Sequence, residues 1–205
     1  MANFISIFRI FVAFFAIYLL TIRTTGAYMT AFILTAVAFI LDGVDGYVAR
    51  KFNESSQLGS VLDIMGDRIV EASYWIIFAV MGWLSPIFPI ICVTRAFTTD
   101  SIRSVALAQG YTAFGESSMQ STKWGKFICA SKFMRISYAV AKVVAFMLLI
   151  AIHTPIFEET QYFSLANTIT MTFAWIAIIF CVVRAIPVVV ESKKLFEKSN
   201  ESHRD

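Results

Sequence analysis

The sequence predicts an all-α integral membrane protein of six transmembrane helices, with both termini on the cytoplasmic side. Three observations carry that expectation. Of 205 residues, 58% are hydrophobic and only 15% charged, whereas a soluble globular domain carries about 25% charged residues. Six stretches, near 4–22, 28–48, 60–84, 86–108, 134–153 and 165–189, are apolar over roughly the 20 residues a helix needs to cross a bilayer. The basic residues between those stretches fall almost entirely on one side. A mean hydropathy of +0.72 agrees.

The stretch 4–22 lacks a basic leading region and runs on too long for the apolar core of a cleavable signal, so it reads as a retained helix. The second and third stretches are interrupted near their facing ends by Asp42, Asp45, Asp63 and Asp67. A turn-like NESSQ at 53–57 separates them, which makes the two helices antiparallel neighbours. The fourth carries Thr94, Arg95, Thr98, Thr99, Asp100 and Arg103, so one face of its second half is polar. Residues 109–133 are rich in Gly, Ser and Lys and read as an interfacial connection. Residues 1–190 form one transmembrane domain, and 191–205 a polar cytoplasmic tail that carries no chemistry.

Orientation follows from charge. With both termini inside, the cytoplasmic side receives Arg9, Arg50, Lys51, Lys123, Lys126, Lys132, Arg135 and the tail cations Lys193, Lys194, Lys198 and Arg204. The other side receives only Arg23, with Glu158 and Glu159 in its last loop. The aspartates then face the cytoplasm, in an inner membrane of bacterial type or its equivalent. A net charge of +3 and a pI near 8.8 suit an anionic leaflet. There is no basic stripe outside the membrane flanks, which argues against nucleic acid as a partner. Cys92, Cys129 and Cys181 are far apart and read as small buried hydrophobes. His153, at a helix end, and His203, in the tail, are too few for a histidine metal centre.

The chemistry is concentrated in DGVDGYVARKFNESSQLGSVLDIMGD, residues 42–67. Asp42 and Asp45 are three apart, Asp63 and Asp67 four apart, so each pair shares a helix face. Clustered carboxylates at membrane depth repel one another unless a cation joins them. Oxygen-only donors select hard ions such as Mg²⁺, Mn²⁺ or Ca²⁺, and four carboxylates suffice for two. Gly46, Gly59 and Gly66 leave room for close approach of a helix or ligand. Arg50, one turn past Gly46, is placed to meet a bound phosphate. Simple pairing with Arg50, Lys51 and Arg68 would account for one aspartate better than for four at these spacings. A cation transporter is a distant alternative, opposed by the apolar outer halves of both helices.

Written with gaps, the segment is D-x2-D-G-x2-A-R-x8-G-x3-D-x3-D, with Asp42, Asp45, Gly46, Ala49, Arg50, Gly59, Asp63 and Asp67 at the fixed positions. This resembles the signature of the CDP-alcohol phosphotransferase family. The resemblance implies six transmembrane helices, a homodimer, and transfer of a phosphatidyl group from CDP-diacylglycerol to a small polar alcohol with release of CMP. It further implies that Asp42, Asp45, Asp63 and Asp67 hold two divalent cations, Mg²⁺ or Mn²⁺, with Asp67 also the general base. Gly46, Ala49 and Gly59 would make room for the nucleotide, and Arg50 would support its phosphates.

Within that family, three stretches are similar to phosphatidylglycerophosphate synthases: Asn3 to Arg9 (NFISIFR), Arg95 and Arg103 in RAFTTDSIR, and Gly125-Lys126. The similarity implies glycerol 3-phosphate as acceptor. Arg95, Arg103, Lys126, Lys132 and Arg135 would then bind its phosphate, since a dianion needs cations and a neutral alcohol does not. Ala96 stands where that pattern has glutamate, and Phe127-Ile128 follow Gly125-Lys126 in place of its Lys-Thr pair. Inositol, inositol phosphate and serine stay open as acceptors.

Overall fold

A computed structural model describes residues 2–51, 57–108 and 122–202, all helix or short connection, with no strand among the described residues. Six long helices stand near the expected positions: α1 (Ala2–Ile22), α2 (Thr25–Lys51), α3 (Gln57–Val80), α4 (Ile87–Ala108), α6 (Lys132–Ile152) and α8 (Phe163–Ser202). Two short helices were not expected, α5 (Lys123–Ala130) and α7 (Pro155–Glu158). Most of the expected interfacial connection, 109–121, lies outside the described residues. Among the described residues, four helices are long and apolar enough to cross a membrane: Phe4–Ile22, Thr25–Val44, Lys132–Ile152 and Phe163–Lys193. α3 and α4 are long enough, but the charges of Asp63, Asp67, Arg68 and Glu71, and of Arg95, Asp100 and Arg103, dilute their apolar character.

The helix ends have local causes. Arg23 takes a left-handed conformation (φ 58°) and ends α1, and the Thr24 hydroxyl then accepts the Ala27 amide at 3.3 Å to start α2. α3 closes in a Schellman turn. Gly82 (φ 78°) donates to the Ala79 carbonyl at 3.0 Å, Trp83 donates to that of Phe78 at 2.9 Å, and the Trp83 and Phe78 rings stack at 5.5 Å.

The chain forms two compact units, Met1–Pro89 with Val143–Phe173, and Ile90–Lys142 with Ala174–Asp205. In the first, α1 packs on α2 and α3. Its buried stripe of Ala13, Ala16 and Leu20, and that of Ala31, Thr35 and Ala38 on α2, are mostly small residues, which let helix backbones approach closely. An aromatic cluster fills the rest. Tyr74 lies 5.2 Å from Phe146 and 5.7 Å from Phe78, and Trp75 meets Phe146 edge-on at 4.8 Å. The Tyr74 hydroxyl and Thr35 Oγ1 share a 2.7 Å hydrogen bond, so the buried polar pair ties α2 to α3. Against lipid such side chains gain little from the hydrophobic effect; dense packing and this hydrogen bond hold the helices together. Phe4, Phe8, Phe11, Phe15 and Tyr18 line the opposite, exposed face of α1, an apolar surface suited to acyl chains.

In the second unit, α5 is tied to α8. The Thr122 hydroxyl accepts the Gly125 amide at 3.0 Å, capping α5, and donates to the carboxylate of Glu191, which is buried. A Cβ on Gly125 would meet the Glu191 carboxylate, so a larger residue there must displace that side chain. α8 thus runs past residue 190, the expected end of the domain, as continuous helix. Cys92, Cys129 and Cys181 are buried free thiols, as the sequence implied. Burial pushes the Cys129 thiol up, against the lowering influence of Arg103, Arg184 and Arg95, and its Sγ donates to the Arg184 carbonyl at 3.4 Å.

Gly125→Ala is expected to lower stability by about 1–3 kcal/mol by displacing Glu191. Thermal unfolding in detergent checks this, and the cost should shrink in a Thr122→Val background. A pH effect is expected at the link between α6 and α7. There the His153 ring stacks on Trp83 at 4.4 Å and its Nδ1 meets the Leu149 carbonyl at 2.9 Å. Burial holds its pKa below the ordinary 6.5, although the Leu149 carbonyl and Glu158 pull the other way. Below pH 6.5 the unfolded chain takes up a proton that the folded chain refuses, so stability falls as pH drops. The unfolding midpoint should fall between pH 7 and 5, and His153→Phe should flatten that part of the curve. An unchanged slope would show that His153 is not its source.

Candidate active site

α2 and α3 bring their aspartates to the α1 residue Arg9. The Arg9 Nη1 pairs with Asp42 Oδ1 and lies 3.5 Å from Asp67 Oδ1. Nη2 lies 3.3 Å from Asp63 Oδ1 and donates to the Asp63 backbone carbonyl at 3.1 Å. The Arg9 side chain is 3% exposed, while those of Asp42, Asp63 and Asp67 are 36%, 52% and 49% exposed. A buried cation therefore backs a set of carboxylates that open to solvent. The close packing of α1 makes this geometry, and Gly66 permits it. A Cβ on Gly66 would sit 3.1 Å from Arg9 Nη2.

The expected convergence of the two helices' carboxylates is present for Asp42, Asp63 and Asp67. Asp45, Gly46, Ala49 and Arg50 lie on α2, but their side chains fall outside the described residues, as do the structures of Phe52 to Ser56. Gly59 lies on α3 and is half-buried. Arg68, weighed above as a partner for the aspartates, reaches Glu71 at 4.0 Å. Among the described residues, Arg9 meets Asp42, Asp63 and Asp67 together. The sequence did carry a signal for it, as the lone charge in α1 and the last residue of NFISIFR.

The donor chemistry fits a divalent metal. Three carboxylates from two helices converge where one guanidinium already sits, so the site accepts a cation. Every donor of these three carboxylates is oxygen, the set preferred by hard ions.

A second polar group lies in the other unit. Three cations surround the Tyr138 ring of α6: Arg184 at 5.4 Å, Lys142 at 5.6 Å and Arg95 at 5.9 Å from its centroid. Arg95 is 8% exposed, and its Nε and Nη1 are buried without a hydrogen-bond partner among the described residues. The Nε of Arg184 is in the same condition. Arg103 acts electrostatically on Arg184, as Arg95 does, and lies 3.9 Å from Asp100. Buried guanidinium groups with open donors are prepared for an anion. Of the residues expected to bind an acceptor phosphate, Arg95 and Arg103 belong to this group. Lys126 on α5, and Lys132 and Arg135 on α6, are exposed. Sequence reasoning missed Lys142, Arg184 and Tyr138. The available signal was a basic residue deep within each of two apolar segments, Lys142 in 134–153 and Arg184 in 165–189, rare in membrane helices unless functional.

Comparison with known proteins places these groups in context. Residues 1–183 match the family model described as CDP-alcohol phosphatidyltransferase. The CDP-diacylglycerol–glycerol-3-phosphate 3-phosphatidyltransferase of Bacillus subtilis strain 168 is 25% identical over 145 residues, 67% of this chain and 74% of that protein. A CDP-diacylglycerol–inositol 3-phosphatidyltransferase of Arabidopsis thaliana is 43% identical over 47 residues, 23% of this chain and 21% of that enzyme. One of Candida albicans is 39% identical over 49 residues, 24% of this chain and 21% of that enzyme. The family match spans both helices of the carboxylate cluster and the cations of the first, fourth and sixth helices, and the chain belongs to the CDP-alcohol phosphatidyltransferase family.

Proposed function

We propose that this protein transfers a phosphatidyl group from CDP-diacylglycerol to glycerol 3-phosphate, releasing CMP and forming phosphatidylglycerophosphate. The observation that carries the choice of acceptor is the buried cation group at Tyr138, with Arg95 short of hydrogen-bond partners. A phosphomonoester dianion satisfies such a group, whereas serine and unphosphorylated inositol do not bring that charge. The extent of similarity to the Bacillus subtilis enzyme supports the same choice, since the inositol-directed relatives match only a short segment. Inositol phosphate is the second reading, because it presents the same phosphate.

In the mechanism, Asp42 and Asp45 from α2 and Asp63 and Asp67 from α3 would hold two divalent ions, Mg²⁺ or Mn²⁺. When bound, these supply neutralisation of the pyrophosphate and of charge developing on the departing CMP. Asp67, half-exposed and reached by Arg9 at 3.5 Å, takes the proton of the acceptor hydroxyl. The hydroxyl oxygen bonds to the phosphorus beside the lipid as the bond to CMP breaks, and CMP leaves with the electron pair. Gly46, Ala49 and Gly59 leave space for the nucleotide, and Arg50 meets its phosphates. Arg95 and Arg103, with Lys142 and Arg184, hold the acceptor's phosphate, and the exposed Lys126, Lys132 and Arg135 raise its local concentration. All six long helices cross the membrane within the domain 1–190, the active site faces the cytoplasm, the tail 191–205 lies on that side, and the enzyme works as a homodimer. The charge asymmetry of the connections supports this orientation.

Purified protein with CDP-diacylglycerol and Mn²⁺ or Mg²⁺ tests the acceptor against glycerol 3-phosphate, inositol, inositol phosphate and serine. CMP release should depend on glycerol 3-phosphate, and release driven equally by serine or inositol would defeat the assignment. Arg95→Gln and Arg184→Gln should each raise the acceptor KM by about 10–100-fold and leave binding of the CDP-lipid intact. Asp67→Asn should lower kcat by at least about 10²-fold with CDP-lipid binding largely kept. Retained turnover in that variant would remove Asp67 from the role of base.

A further inference from the structure

We propose that Arg9 is the positioning residue of the aspartate site, an internal counter-cation that holds Asp42, Asp63 and Asp67 together and competes with metal for them. The inference rests on the metal-binding reading of those aspartates. Its basis is geometric. A single guanidinium from α1 reaches carboxylates of both α2 and α3, and one of its nitrogens also bonds a backbone carbonyl of α3. A planar fork can span these partners at once, which a point charge cannot. The backbone bond fixes Arg9 to α3 independently of the charge on the carboxylates. Gly66 keeps the space beside Nη2 free of a side chain.

Two consequences follow. Without metal, Arg9 offsets carboxylate repulsion that would otherwise push α2 and α3 apart at this end. With metal, the same positive charge lowers the affinity of the carboxylates for a second cation, so the ion is bound weakly enough to exchange. Charges a few ångströms apart near a protein surface interact by several kcal/mol at most, and half-exposed carboxylates by much less. An effect of about tenfold on affinity is therefore expected.

The test is Mn²⁺ binding to metal-free protein in detergent, followed by electron paramagnetic resonance of free Mn²⁺, with thermal unfolding measured alongside. Arg9→Gln should lower the metal-free unfolding midpoint, recover most of that loss in Mn²⁺, and bind Mn²⁺ about tenfold more tightly than wild type. Arg9→Lys, which keeps charge but cannot span the partners, should fall between the two. A merely structural Arg9 would weaken Mn²⁺ binding when replaced, so unchanged or weaker binding in Arg9→Gln overturns the proposal. Should Arg9→Gln fail to fold even in Mn²⁺, Arg9→Lys decides, with about threefold tighter binding expected and unchanged or weaker binding contradicting it. Wild-type protein that binds no Mn²⁺ would defeat the metal-site reading itself. Wild-type binding that Arg9 substitutions do not strengthen would defeat only the role of Arg9.

Discussion

The structure of the first unit depends on one electrostatic problem, how to keep carboxylates from two neighbouring helices together in an apolar protein. Their mutual repulsion grows as water is withdrawn, and none of it is relieved by packing. The chain meets the problem with α1. Small residues on α1 and α2 let the helices lie close, and that proximity carries Arg9 into the carboxylates. The aromatic cluster around Tyr74 and Phe146 then fixes α2 against α3 away from the charges, with the Thr35–Tyr74 hydrogen bond as a polar link. Packing and charge are separated along the same helices, which leaves the acidic end open to solvent and the other end dense.

The second unit inverts the sign. Arg95, Lys142 and Arg184 are gathered on an aromatic ring, where the π face eases the approach of like charges without neutralising them. A protein gains no stability from buried guanidinium donors left without partners. Their presence is best explained by an anion that completes the group in use. The first unit thus carries an acidic cluster whose donors suit metal ions, and the second a cationic cluster whose donors suit a phosphate. Glu191 and Thr122 anchor α5 to α8 in this unit, so a residue assigned by sequence to an inert tail has a structural task.

Much of this was legible beforehand, for physical reasons. Apolar runs of membrane length gave the six long helices, because the bilayer permits few alternatives. The i+3 and i+4 spacing of the aspartates gave their shared faces, because helical geometry is local. What stayed hidden were contacts between elements distant in sequence. Arg9 reads as one more positive-inside charge until α1 is laid on α3. Lys142 and Arg184 draw no notice in apolar segments until both are found beside Tyr138. Gly125 reads as part of an interfacial connection until Glu191 is seen against it.

The central claim is that the carboxylate cluster is a metal-dependent site for transfer from a CDP-linked lipid. The most direct measurement is CMP release from CDP-diacylglycerol by purified protein stripped with EDTA and then resupplied with Mn²⁺ or Mg²⁺, in wild type and in Asp63→Asn. Activity that disappears with the metal, returns on its addition, and stays at least about 10²-fold lower in Asp63→Asn is the result expected. CMP release that persists in EDTA, or that survives in Asp63→Asn at wild-type rate, would contradict the account.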